Sequence, residues 1–250
     1  MRLSFLFLCL LAFCTVDCSS SQKKAQSGAS EVAAESDEDL PASDPLEGMN
    51  RKIHAFNDFF LHYFLEPAAA GWNFIIPRFL RVGIDNFFNW FYTPSRLVSN
   101  LLQAKFVGAG KEIASFTING TMGGLGFYDA SKEVFALERT NEDIDQALGK
   151  WGIGEGAYIV LPFIGPRTVR GTFGFAGDLM LQPQTVLVPE YVGTDFWVQS
   201  GFTVGGYTVR AVNGVSLAPG EYDNLMKDSI DPYSFLRDIY LQNTRKNVAD

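Results

Sequence analysis

The stretch Asp44–Tyr63, DPLEGMNRKIHAFNDFFLHY, decides the fold. It reads as one long helix with both ends visible. Asp44 is placed to cap the start, Pro45 suits the first helical position, and Glu47 completes a capping box three residues on. Leu46, Met49, Ile53, Phe56, Phe60 and Tyr63 recur at spacings of three and four, so they share one face. Asn50, Arg51, His54, Asn57 and Asp58 fall largely elsewhere. Pro67 is the expected stop. A helix of about 20 residues is about 30 Å long, enough to brace a whole domain. Its phenylalanine-rich face suits either a protein core or a lipid surface.

Downstream, the same kind of pattern repeats. A short apolar helix or turn is expected over 68–74, and helical stretches over 77–92, 95–103 and 106–119, the last with Phe106, Ala109, Ile113 and Phe116 on one face. Further helices are expected from Asn141 to Leu148 and from Thr168 to about Met180. Asp231-Pro232 then repeats the opening device of Asp44-Pro45 before a final helix. Tyr158–Phe163 is the best strand candidate, with Pro162 confining it to an edge and Gly165-Pro166 as the turn. Pro183 to Val215 fits helix or strand. Arg78, Arg81 and Asp85 exclude the 77–92 stretch as a simple spanning helix. The expected fold is mainly α, with little strand. Helices with such aromatic faces either lie in the plane of a bilayer or pack as an ordinary core.

At 250 residues the chain can bury one substantial core. A formal net charge of −8 argues against nucleic acid as a partner. It leaves membranes open, because insertion through apolar area needs no positive charge. Residues 1–17 read as a secretory signal: Arg2, then an apolar run too short to span a bilayer. All three cysteines, Cys9, Cys14 and Cys18, lie at this end, so no disulfide staples the folded region. Cys18, followed by three serines, is the expected acylated residue of a bacterial lipoprotein. Thr15, Val16 and Asp17 depart from the usual residues before such a cysteine, and the alternative is a soluble periplasmic protein. Residues 18–43, rich in Ser, Ala and Glu, form a disordered tether. The folded domain is expected over 44–250.

Little in the chain points to catalysis. The two histidines, His54 and His62, are eight apart on one helix, about 12 Å along its axis and too far to share a metal. No G-x-S-x-G elbow occurs. Asp143, Asp145, Glu221 and Asp223 read as solvated loop acids. The glycines of 149–156 lack the spacing and the Lys-Ser/Thr pair of a phosphate loop. No catalytic residue, cofactor or metal is expected. The run from Gly120 is different in kind. Gly123, Gly124 and Gly126 sit among Met122, Leu125, Phe127 and Tyr128. Small residues at that spacing let backbones or acyl chains approach closely; the alternative is a flexible loop.

Three blocks carry a family resemblance. Asp44, Pro45, Leu46, Glu47, Asn50, Arg51, Phe56 and Asn57 form the first, and LPFIGPRTVR, Leu161–Arg170, the second. Ser229, Asp231, Pro232, Tyr233, Arg237, Tyr240, Gln242 and Arg245 form the third. Together they resemble the MlaA (VacJ) family of outer-membrane lipoproteins over about 44–245. Gly171 departs from the family, which usually has Asp after the arginine of the second block. The resemblance implies a ring-like single domain of helices lying in the membrane plane, on the periplasmic, inner-leaflet side of the outer membrane. It implies a porin trimer beside it. It further implies an amphipathic channel through which misplaced phospholipid reaches a soluble periplasmic carrier. On that reading Gly123, Gly124, Leu125, Gly126, Phe127, Trp151, Ile153, Leu161 and Phe163 are the expected channel lining. Arg167 and Arg170 are phosphate contacts or else structural ion-pair partners. A scaffold for a porin and a membrane-bound phospholipid hydrolase are the competing readings.

Overall fold

The computed structural model describes residues 44–183 and 196–249. The signal, Cys18 and the tether lie outside the described residues. Helix α1 spans Glu47–Phe60, a π-helical turn follows over Leu61–Leu65, and α2 spans Glu66–Ile75. Pro67 therefore does not stop the helix. In an unbroken α-helix its ring would press on the carbonyl four residues back. The wider turn, with Glu66 N–H bonded to the Leu61 carbonyl, relieves that contact.

The capping box does not form either. Asp44 offers α1 only its carbonyl, to Glu47 N at 3.3 Å. Its carboxylate instead accepts from Asn50 Nδ2 at 2.9 Å and from the Tyr233 hydroxyl. Glu47 accepts from Arg51 Nε at 2.8 Å.

Helices α3 (Arg78–Phe91), α4 (Thr93–Leu102), α5 (Phe106–Thr121), the short α6 (Ala130–Glu133) and α7 (Ile144–Lys150) follow. Asp143, rather than Asn141, caps α7, accepting from Gln146 N at 2.8 Å. Strands β1 (Tyr158–Leu161) and β2 (Gly165–Thr168) form an antiparallel hairpin, Tyr158 opposite Thr168 and Leu161 opposite Gly165. The turn is one step earlier than expected. Phe163 takes a left-handed φ of +64°, and Gly165-Pro166 opens β2. Pro166 is tolerated because β2 is an edge strand. Then come α8 (Val169–Leu181), α9 (Phe196–Leu217), α10 (Glu221–Met226) and α11 (Pro232–Ala249). The described part of the undecided 183–215 region is thus helical from Phe196; the rest lies outside the described residues. The fold is mainly α, with a single hairpin among the described residues.

The chain divides into two compact units. Of the described residues, the first holds 44–74, Glu155–Val169 and 207–249; the second holds Ile75–Gly154 and, from Arg170 to Gly206, the described part. In the first unit Tyr158, Val160, Tyr233 and Leu241 form a core, with Ile53 and Tyr240 against it. Asn50, expected away from the buried face, is fully buried. Its amide donates to the Tyr158 carbonyl at 3.0 Å and accepts from Val160 N at 2.9 Å. Asn57 repeats the device two turns on, donating to the Leu161 carbonyl at 3.0 Å and accepting from Phe163 N at 2.6 Å. Helix α1 thereby closes the free side of the hairpin. Arg51 completes the arrangement with two bonds to Asp231, at 3.0 and 2.6 Å. The first and third sequence blocks are thus the seams of this unit.

Candidate lipid-contact site

Helix α5 builds the second unit from the inside. Its buried residues are Ala109, Glu112, Ser115 and Asn119, spaced by three and four on one face. Glu112 accepts from Arg96 Nε at 2.9 Å, Thr140 N at 2.6 Å and Thr140 Oγ1 at 2.9 Å. Asn119 donates to Asp129 at 2.9 Å and Ser131 Oγ at 3.0 Å, and accepts from Ser131 N at 2.8 Å. Ser115 and Ser131 share a further bond at 2.8 Å. Desolvation works against the Asp129 carboxylate. Arg139 at 2.9 Å and the bonds from Asn119 and Ser131 outweigh it, holding Asp129 below the usual carboxylate range. Nearly every buried polar atom of the helix therefore has a partner, as buried polar groups require.

The other side of α5 is the opposite of a soluble protein's surface. Phe106 is 72% exposed, Val107 77% and Ile113 55%, and Phe116 is also exposed. Of the stripe expected as an apolar face, Phe106, Ile113 and Phe116 point outward and only Ala109 points in, beside the polar residues Glu112, Ser115 and Asn119. Helix α1 shows the same inversion in part: Met49 and Phe56 are exposed while Asn50 is buried, although Ile53 packs on the core. Exposed apolar surface on this scale marks a site for lipid or for another protein. Among the described residues no helix is long and apolar enough to cross a membrane.

The glycine run caps the end of α5 and is an ordered turn, not a flexible loop. Gly126 N bonds to the Asn119 carbonyl at 2.9 Å, and Tyr128 N bonds to that of Gly123 at 2.8 Å. Gly126, at φ +85°, lies on Trp90; a Cβ there would be 2.5 Å from the Trp90 side chain. Trp90 in turn stacks on Phe116, centroids 4.9 Å apart. Phe127 closes over Gly83 of α3, where a Cβ would meet its ring at 2.8 Å. Fixed in this way, the turn holds Met122 and Leu125 outward, Leu125 at 62% exposure and φ +57°. Gly123 and Gly124 give it the curvature.

The remaining site residues divide between the units. Trp151 and Ile153 are exposed in the second unit, where Trp151 Nε1 donates to the Leu102 carbonyl at 3.0 Å. Leu161 and Phe163 lie on the hairpin of the first unit, with Phe163 edge-on to Phe56 and Phe60 at 5.0 and 4.8 Å. Arg167 sits on β2 opposite Ile159. Arg170 is buried in α8, donating to Asp145 at 2.6 Å and to the Ile153 carbonyl at 3.0 Å. Asp145 is therefore no solvated loop acid but the buried partner of Arg170. The backbone of α7 around Asp145 approaches Gly174 so closely that a Cβ there would lie 2.5 Å from Asp145 N. Glu112, Asn119 and Asn50 were not among the expected site residues. Their signal is a polar stripe at helical spacing opposite an apolar one, legible only if the polar side is allowed to be the inside.

These features define a class: mostly helical proteins that bury a bonded polar network and turn apolar side chains outward, without a spanning helix. The family model described as MlaA lipoprotein matches residues 42–247, and the chain belongs to that family. Lipoproteins of the intermembrane phospholipid transport system, named MlaA, from Shigella flexneri and Escherichia coli K12 are each 30% identical to it over 203 residues. They cover 80% of this chain and 76% of their own. An uncharacterised Rickettsia typhi protein is 28% identical over 208 residues, 83% of this chain and 78% of its own. A solved structure described as the structural basis for maintenance of bacterial outer membrane lipid asymmetry superposes with a TM-score of 0.67 at 28% identity. It covers 82% of this chain and 99% of that one.

Proposed function

We propose that this chain is an outer-membrane lipoprotein that returns misplaced phospholipid from the outer leaflet to a soluble periplasmic carrier, without altering it covalently. Cys18 carries the acyl anchor, a porin trimer is its neighbour, and the lipid follows an amphipathic path. The relatives named for phospholipid transport support the substrate. The observation that carries the reading is the inversion of α5. An apolar exterior suits acyl chains, and a bonded polar interior needs no water. The glycine turn borders the path, offering Leu125 and Phe127 to lipid tails, with Trp151 and Ile153 of the same unit as further wall; Leu161 and Phe163 are proposed lipid contacts of the first unit. Arg170 is held by Asp145 as a structural ion-pair partner, and Arg167 is proposed as the phosphate contact.

Leu125→Asp tests this. The side chain is exposed, and Asp tolerates a left-handed φ better than Leu, so the variant should fold and reach its normal abundance. An unpaired carboxylate among acyl chains costs several kcal/mol. Cells carrying the variant, like cells lacking the protein, should therefore display phospholipid to an outer-leaflet probe. Normal surface asymmetry in the deletion strain would end the retrieval reading. A stable, fully active Leu125→Asp protein would remove this turn from the path, and fatty acid released from phospholipid by the pure protein would make it a hydrolase.

A further inference from the structure

We propose that His62, Glu66 and Asp223 form a binding site for a divalent transition-metal ion, with zinc the best match. His62 lies in the π-helical turn and Glu66 four residues on, at the start of α2. Asp223 reaches them from α10, so the fold unites residues 161 apart in sequence. One ligand atom from each lies within 4.8 Å of the other two. Zinc bonds of about 2.0–2.2 Å in a tetrahedron place neighbouring ligands roughly 3.4 Å apart. Small rotations of two carboxylate side chains at the surface close that difference.

The imidazole is set as a metal-binding histidine should be. Its Nδ1 faces the Asp58 carbonyl at 2.8 Å, which directs Nε2 at Asp223, 2.9 Å away. The proton Nε2 carries without metal is displaced on binding, as at any histidine ligand. The Tyr222 ring packs edge-on to His62, with centroids 6.1 Å apart. A plain His-Asp ion pair would explain two of the three residues. It leaves out the Glu66 carboxylate, which faces the same point. One nitrogen and two carboxylates favour a transition metal over calcium or magnesium, which prefer all-oxygen shells. Three protein ligands leave a fourth position for water.

The test uses the mature protein in detergent, stripped with chelator. Zinc titrated calorimetrically should bind in a single equivalent. Cobalt should give the intense visible absorption of a tetrahedral site. Glu66→Gln should weaken zinc by more than about tenfold, the scale on which even outer-shell losses act, with an unchanged circular dichroism spectrum. His62→Gln should abolish binding. The proposal is overturned if the wild-type protein binds no zinc, if Glu66→Gln binds it as tightly as wild type, or if calcium binds as well as zinc.

Discussion

Asn50 does for β1 what a neighbouring strand would do. Its amide carries one donor face and one acceptor, and it meets the carbonyl of Tyr158 and the N–H of Val160 as a peptide unit would. A free strand edge invites pairing with other chains; here a side chain occupies it. Asn50→Ala leaves both backbone groups buried without a partner. Each such loss costs about 1–3 kcal/mol, so the variant should lose roughly 2–4 kcal/mol, read as a lower denaturant midpoint. Asn57→Ala, at a half-buried position, should cost less. A loss under about 1 kcal/mol for Asn50→Ala would mean that water or a relaxed backbone replaces the amide.

Pairs of elements turn on glycine. Gly174 of α8 sits against the first turn of α7, with no room for a Cβ beside the Asp145 backbone. Gly110 of α5 has nothing within 4 Å of the corresponding position. Gly174→Ala should therefore destabilise by about 1–3 kcal/mol through overpacking. Gly110→Ala should be neutral or stabilising by up to about 1 kcal/mol through helix propensity. Equal effects at the two positions, measured by thermal denaturation, would refute the packing account. This scale also marks where sequence reading succeeds and fails. The helices from Arg78 to Thr121, the strand at Tyr158 and the helix after Asp231 were legible because caps, prolines and periodicity are local. The direction of α5 was not. Periodicity assigns two faces and is silent on which one a non-aqueous surrounding will accept. The glycine run was legible as a place of close approach, but its ordered turn depends on Trp90 and Gly83, far upstream. Asp145 was misread because its partner, Arg170, comes 25 residues later.

For the whole molecule, acidity and an apolar exterior make opposite forecasts about membranes. A formal charge of −8 gives no electrostatic attraction to phospholipid. On the function proposed above, attachment runs through apolar area, which salt does not screen. A chain with Cys18→Ala should still sediment with vesicles of neutral phospholipid in 1 M salt, where charges are screened beyond about 3 Å. Its tryptophan emission should shift to the blue. Release into the supernatant at any salt concentration would show that the anchor alone holds the protein to the membrane.

The first unit is assembled from three separated pieces of chain, and this sets the order in which it can close. Asn50 waits for partners 108 and 110 residues further on, and Arg51 for one 180 residues further on. At roughly 5–20 residues per second, synthesis delivers Asp231 about 10–40 s after Arg51. Throughout that interval α1 lacks its Arg51–Asp231 seam, and for more than half of it the hairpin partners of Asn50 as well. The second unit has all its segments by Gly206. Helix α1, which comes earliest in this unit's described chain, is thus among the last of its parts to find its place.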